Sequence, residues 1–576
     1  MSRSPNIINT NELTQTQVSK LTQEGIALHQ QGNFSEAQVI YEQILMGKPD
    51  HFDALQLLGV LFAQVKKYSQ SVEFLSKALE INPNHAGAFS NRGIALKELK
   101  QFDEALASYD QAIAVKPDYL DAYSNRGNLL MELSRFDEAL VSYDQAIKIN
   151  PDYAESYGYR GITLKKLNRF DEALASYNQA IKINPDYAEA YSNRGNVLNE
   201  LNRFDEALAS YDQAIKINPD YAEAYHNRGT ILQELRQFDE ALASYGQAIK
   251  INPDYVDAHW NAAICNFIKG NFKTGWIEYE WRWKHFECDS ERLNTNRPIW
   301  DYKKTEQRLL VWAEQGIGDH ILFGGLFSEL LEDVPNLLVQ IDQRLIPIFI
   351  RSFPKIKFYP SKNLAPNSNS KIPESDYDIH LPIGSLGKYL RNDKKDFLPT
   401  RNTYLKDDEL KTARIKKDLI ALASSNNKLC GISWKSKSTF TGHQKSTTLK
   451  YFIKTLDLEG YTFVSLQYGK TKDEIKEVRN ELGVNIISYE EVDNFLDIDG
   501  LSSLIQACDK VITVDNITSQ LAGALGKQTH ILLTFNPWWC WMLERNDSPW
   551  HPSIKLYRQD KINDWDSAFK KLKADL

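Results

Sequence analysis
Cysteine is scarce in this 576-residue chain, and the five present, at 265, 288, 430, 508 and 540, are odd in number and widely scattered. No pair has CxxC spacing, which argues against both a disulfide framework and a zinc site. Positive charge is not in surplus: 68 Lys and Arg face 76 Asp and Glu, for a net charge of −8. Such a balance excludes a general nucleic-acid binder, which needs cations to neutralise phosphates. Nowhere do eighteen apolar residues run together, so no membrane-spanning helix is expected. The stretch 1–17 is a polar tail without the apolar core of a secretory signal. Together these absences lead to a cytoplasmic expectation. No Gly/Ser/Pro-rich linker divides the first half of the chain from the second. What remains is an ordinary globular composition, 42% hydrophobic and 25% charged, in a chain too long for one core.

Self-similarity dominates the first half. The stretch Arg169–Tyr191 recurs almost unchanged at Arg203–Tyr225, a period of 34. The same period places glycines at 25, 59, 93, 127, 161, 195 and 229, and prolines at 49, 83, 117, 151, 185, 219 and 253. Ala105, Ala139, Ala173, Ala207 and Ala241 mark a crowded helix–helix contact, with an aromatic four residues later. Each unit reads as two short amphipathic helices whose apolar faces cannot be buried alone, so units must stack. Glycine lets the second helix approach the first, and proline stops the second helix.

These motifs resemble the tetratricopeptide repeat over Val18–Tyr255, with a degenerate eighth unit to about Trp283. The resemblance implies a solenoid with a concave groove. In the eighth unit Ala263 replaces the glycine and Gly275-Trp276 stands where Ala-Leu is usual. Trp276, Trp281 and Trp283 suggest an end unit that docks onto the next domain. Asn91, Asn125, Asn193, Asn227 and Asn261 recur at one position that tends to face the groove in this family, with Tyr159 interrupting the row. The row resembles the asparagine ladder of O-linked N-acetylglucosamine transferases, where carboxamides both donate to and accept from a peptide backbone. The alternative is that near-identical repeats copy the residue they began with.

From Arg308 onward, strand-like runs alternate with helical ones, indicating parallel sheets with helices on their faces. The apolar run Leu309–Trp312 reads as a buried strand, and Ala313–Phe323, AEQGIGDHILF, as a glycine-rich turn opening a helix. Gly316 and Gly318 would bring backbone N–H groups near an anion. Asp319 is the first good N-cap. A charged helix around Leu405–Ala423 bridges to a second α/β unit beginning at Lys428–Trp434. The expected organisation is 1–17 tail, 18–285 repeats, 286–306 connector, 307–404 first half, 405–427 linking helix and 428–576 second half. Two Rossmann-like halves with a cleft between them describe a GT-B architecture.

The segment Lys510–Leu533, KVITVDNITSQLAGALGKQTHILL, is similar to a signature of heptosyltransferase-like (family nine) glycosyltransferases. AEQGIGDHILF, Gly431–Ser438 (GISWKSKS), Phe463–Gly469 (FVSLQYG) and the C-terminal Trp541–Gln559 resemble other segments of that family and its repeat-linked members. The resemblance implies a nucleotide-sugar donor, no cofactor or metal, and Asp319 as catalytic base. Nucleotide-sugar contacts would come from Gly316, Gly318, Lys435, Gln467, Asp515, Asn516, Ser519 and Gln520. Asp515 to Gln520 would hold a diphosphate at a strand-to-helix turn, and Lys435 would offset its charge. The helix dipole is expected to lower the Asp319 pKa. Asn516, Ile517 and Gln520 depart from the family's Thr, small residue and His. Asp497-Ile498-Asp499 mimics a metal-binding DxD but is read as helix capping, and His320, His443 and His551 as structural or surface residues.

The favoured expectation is an inverting, metal-independent glycosyltransferase. Its acceptor would be a polypeptide or partner protein held in the repeat groove. The alternatives are a non-catalytic scaffold with a decayed sugar-binding domain, or a transferase acting on lipopolysaccharide or another glycan.

Overall fold
A computed structural model describes residues 13–285, 292–361, 372–397, 403–423, 427–438 and 442–576. The chain divides into two compact units between Arg228 and Gly229, inside the repeat array and not at its end. Among the described residues no helix is long and apolar enough to cross a membrane.

The first unit is built of antiparallel helix pairs, from Gln15–Gln30 with Phe34–Gly47 to Ala188–Glu200 with Phe204–Ile217. Thr14 caps the first helix, accepting from the Gln17 N–H, so the expected tail is partly helical. The rest of that tail, 1–12, lies outside the described residues. The repeated glycine has a definite partner: a Cβ on Gly127 would come within 2.7 Å of the Tyr143 ring, and one on Gly195 within 2.7 Å of Tyr211. Both tyrosines are buried. A second periodic tie is polar. Arg126 donates to Asp110 of the preceding unit (2.7 Å) and to Ser142 of its own (2.8 Å). Arg160 repeats this with Asp144 (2.6 Å) and Ser176 (2.6 Å).

The second unit opens with the last repeats. Its terminal pair, α1 (Val256–Lys269) and α2 (Phe272–Tyr279), runs into a 3-10 turn at Glu280–Lys284. Here the glycine contact is reversed: Gly275 on the second helix receives the ring of Phe267 from the first, 2.6 Å from a would-be Cβ. That explains how Ala263 can replace the usual glycine.

Two parallel sheets follow. The first is formed by β1 Leu309–Trp312, β2 Leu337–Ile341, β3 Lys357–Pro360 and β4 Ile379–Pro382, in the order β3-β2-β1-β4. Leu309 of β1 is in register with Leu337 on one side and Ile379 on the other. Helix α3 (Ile317–Gly324) leaves the end of β1, and α4 (Glu409–Ala423) leads towards the second sheet. The strands of that sheet are β5 Lys428–Ser433, β6 Tyr461–Ser465, β7 Ile486–Ile487, β8 Lys510–Val514, β9 Thr529–Leu533 and β10 Ile554–Arg558, with α5 (Ile517–Ala524) after β8. They lie in the order β10-β9-β8-β5-β6-β7. The strand β10 escapes the reading of the sequence, where Lys555 interrupts its apolar run; it pairs with β9 from Ile554↔Thr529 onward.

The terminal repeat packs on this α/β body. Trp276 is fully buried, lies edge-on to Trp539 at 5.8 Å and donates its indole N–H to the Arg391 carbonyl (2.6 Å). Trp283 meets Trp312 of β1 at 5.4 Å. Arg236 lies over the Phe535 ring, 3.6 Å from its centroid. Trp281 departs from expectation, stacking on His259 of its own repeat at 3.9 Å. The four described cysteines are buried thiols, and Cys288 lies outside the described residues.

Candidate active site
The turn between β1 and α3 is fixed from several directions. Glu314, buried, accepts a two-pronged bond from Arg282 (Nε–Oε2 2.9 Å, Nη2–Oε1 2.7 Å) and the Gly384 N–H (2.8 Å). Gln315 holds a left-handed backbone, φ 62°, and donates from Nε2 to the Tyr279 hydroxyl (2.6 Å). His320 donates from Nε2 to the Glu314 carbonyl (3.1 Å) while Nδ1 accepts the Asp342 N–H (3.2 Å). Burial drives its pKa down to about 4, so it stays neutral, and the structural reading of this histidine holds.

Asp319 is not the N-cap. Gly316 occupies that position, and Asp319 sits three residues on, its carboxylate accepting the Gly316 N–H at 3.3 Å. Nor is its pKa lowered. Burial pushes it up to about 6; Glu314 adds to the rise, while the Gly316 N–H and the Lys445 ammonium oppose it. Desolvation outweighs the dipole because α3 is only eight residues long and protein packed around the half-buried carboxyl keeps much of the water away.

The cation opposite is Lys445, a residue the sequence does not single out. It forms a largely buried ion pair with Asp515 (2.7 Å) and lies 5.7 Å from the Trp538 ring centroid. The charges of Asp515, Lys445 and Asp319 all bear on the buried thiol of Cys540. Helices α3 and α5 pack together there, with Gly318 against Gln520: a Cβ on the glycine would lie 4.0 Å from Gln520 Cγ. The only signal for Lys445 in the sequence is a basic residue after the GISWKSKS loop.

Several of the expected nucleotide contacts have partners within the protein. Lys435 is paired with Glu474 (2.6 Å), which also accepts the Trp434 indole N–H (2.9 Å). The Gln467 side chain is held inside the protein: its Oε1 accepts from Ser433 Oγ, Trp434 N–H and Lys435 N–H at 3.0, 2.9 and 2.8 Å. Its Nε2 donates to the Lys435 and Tyr468 carbonyls. Asn516 caps α5 by accepting the Thr518 N–H (2.9 Å), and donates to Ser433 Oγ (2.7 Å) and the Lys435 carbonyl (3.0 Å). Both carboxamides thus shape the loop after β5.

Ser519 closes the capping box of α5, its hydroxyl accepting the Asn516 N–H (3.4 Å), and also donates to the Asn516 carbonyl (2.6 Å). Gln520 accepts from His551 Nε2 (2.8 Å), and burial holds that imidazole neutral, its pKa down to about 3. An imidazole therefore stands behind Gln520, supplied from the C-terminal segment. Tyr404 ties both helices, donating its hydroxyl to the Ile321 carbonyl (2.6 Å) and its N–H to the Ala524 carbonyl (3.1 Å). Asp497 does cap a helix, accepting the Gly500 N–H at 2.7 Å, and Asp499 pairs with Arg351 (2.8 Å). His443 is exposed.

In the first unit Asn91, Asn125, Asn193 and Asn227 are half-buried. Asn227 donates to Asn196 (3.1 Å), which also accepts the Tyr211 hydroxyl (2.7 Å). In the second unit Asn261 bonds the Tyr245 phenol. Tyr159 stacks on Tyr143, centroids 5.8 Å apart. At least two members of the row therefore use their carboxamides inside the array.

Residues 28–255 match family models described as TPR repeat (95–134, 161–201, 195–236) and tetratricopeptide repeat (28–90, 74–107, 120–153, 142–175, 222–255). This part of the chain consists of tetratricopeptide repeats. Among curated proteins, Protein FlbA of Caulobacter vibrioides is 29% identical over 318 residues, 53% of this chain. The chain spans about half (52%) of that relative's length. Among solved structures, YrrB, described as a TPR protein with an unusual peptide-binding site, is 27% identical with a TM-score of 0.28. The match covers 32% of this chain and 95% of YrrB. A tetratricopeptide repeat protein from Parabacteroides merdae is 18% identical with a TM-score of 0.35, the match covering 43% of this chain and 98% of that one.

Proposed function
We propose that the protein is a glycosyltransferase of GT-B architecture that moves a sugar, with inversion, from a nucleotide-sugar donor to a polypeptide side chain recruited by the repeats. The observation that carries this reading is the packing of α3 against α5, with Asp319 in the first turn of α3 and the largely buried Lys445–Asp515 ion pair just before α5. The acceptor hydroxyl or amide attacks the anomeric carbon, the bond from that carbon to the diphosphate oxygen breaks, and Asp319 takes the acceptor's proton. The diphosphate leaves with the bonding electron pair, its charge offset by Lys445 and the backbone N–H groups that open α5. A carboxylate near pKa 6 is a better base at neutral pH than an ordinary aspartate.

A second reading, a non-catalytic scaffold, draws on the internal use of Lys435, Gln467 and Asn516 and on Ile517 at the start of α5. A thermal-shift panel of UDP-, GDP-, ADP- and CMP-sugars separates the two, since a bound donor at a hundredfold excess over its Kd stabilises by about 2.7 kcal/mol. Asp319→Asn should then lose about a hundredfold or more in turnover while keeping donor affinity. In the wild type, turnover should rise as pH climbs through about 6, where Asp319 ionises. No shift with any donor favours the scaffold, and an active Asp319→Asn enzyme removes the base assignment.

A further inference from the structure
The terminal repeat touches the candidate catalytic turn at two successive side chains. Tyr279 is fully buried on the last helix of the array, held between Phe267 and Trp276, with Trp539 edge-on at 6.4 Å. Its hydroxyl accepts from Gln315, the one residue of the turn with a left-handed backbone. A side chain with a Cβ adopts that conformation at a cost, and surrounding contacts must hold it there. Three residues beyond Tyr279, Arg282 gives both prongs to Glu314, and its Nη2 also reaches Ser385 Oγ (2.9 Å). Neither the Arg282 nor the Glu314 side chain has any exposed surface. Glu314 in turn lies close enough to Asp319 for its charge to be felt there, as does Tyr279.

We infer that Tyr279 and Arg282, which belong to the repeat array, are positioning residues of the active site: they set the Glu314–Gly316 turn and through it the place and charge environment of Asp319. This rests on the glycosyltransferase reading for its kinetic consequence and on the packing alone for its structural one. The terminal unit would thus be a working part of the transferase, not a spacer before it. A bidentate guanidinium suits the task because it fixes the carboxylate in a plane and neutralises it at once. Without that neutralisation a bare Glu314 would make Asp319 harder to ionise.

The test uses the full chain and two variants. Tyr279→Phe keeps the ring and removes only the oxygen. The double variant Arg282→Met/Glu314→Gln removes both buried charges together, which avoids stranding either one. The first measurement is hydrogen exchange of the peptide covering 314–320, with 510–514 of β8 as the internal control. Both variants should exchange faster in the turn and unchanged in the strand. Equal exchange in the turn overturns the inference whatever the protein's activity. The second measurement is turnover with the donor identified by the thermal-shift panel. Tyr279→Phe should lose about tenfold or more in kcat, with nucleotide affinity and melting temperature held. The double variant should behave alike. Wild-type rates in Tyr279→Phe overturn the inference and leave the function standing. A wild type without turnover on any donor overturns the function and leaves the exchange result to decide the inference.

Discussion

The array and the α/β body hold themselves together by opposite means. In the array each tie is short in sequence and repeated: Gly127 with Tyr143, Gly195 with Tyr211, Arg126 with Asp110 and with Ser142. Each of these joins one helix to its neighbour about half a repeat away. At the junction of the array with the body, and within the body, the ties are single: Arg282 with Glu314, Asn516 with Ser433, Tyr404 with Ile321 and Ala524. A repeated tie tolerates the loss of one copy. A single tie that buries charge does not.

The largest expected contrast comes from removing one arginine in each region. Arg282→Met strands a buried carboxylate and should cost about 3–5 kcal/mol. Arg126→Met releases an Asp110 side chain that is 55% exposed, and should cost under about 1 kcal/mol. Urea unfolding of both variants reads the difference, and equal losses would end the comparison. Next in size is Gly195→Ala. The added methyl gains about 1 kcal/mol of helix propensity, yet it would stand 2.7 Å from a buried Tyr211 ring carbon, so a net loss of about 1–2 kcal/mol is expected. A neutral or stabilised variant would mean that the glycines are copied and not required.

A third effect, no larger than that of Gly195→Ala, runs the other way. Asp319 releases its proton near 3.8 in an ordinary setting and near 6 in the fold. Between those values the folded state holds the extra proton, so stability falls as pH rises through the window. The penalty is complete above about pH 6 and absent below about pH 4. Asp319→Asn should therefore stabilise the protein at pH 7.5, by about 1–2 kcal/mol after allowance for partial solvation. The gain should vanish at pH 4. Melting temperatures of both proteins across pH 4–8 check it, and a gain independent of pH would refute the shifted carboxyl.

These contrasts also explain what the sequence could tell. The period of 34 delivers the helix pairs because every local choice is made seven times over, so one odd residue does not hide the pattern. Strands β1, β2, β5 and β8 are legible from apolar runs bounded by turns, whereas β10, broken by Lys555 and reading as tail, is not. Asp319, Asp515 and Gln520 can be placed at strand-to-helix turns from the glycine loop and the helix starts. Lys445 cannot, because its role depends on Asp515, which lies far along the chain, beyond β6, β7 and β8. The internal partners of Lys435, Gln467 and Asn516 are hidden for the same reason. A polar residue after a strand looks available in one dimension, and only the fold reveals Glu474, Ser433 and the loop backbone as its partners.

The division at Gly229 has a practical meaning for how such a chain can change over time and at the bench. Units before Gly229 repeat contacts of one kind, so a whole repeat can be duplicated or deleted there without altering any tie within 229–576. The pair Val256–Tyr279 is not interchangeable in this way, since Phe267, Trp276 and Tyr279 face Trp539. Array length is thus free to vary while the last unit is not. An expression fragment meant to keep the α/β body intact should begin ahead of Gly229, at the helix starting with Ala222, and not at the end of the repeats.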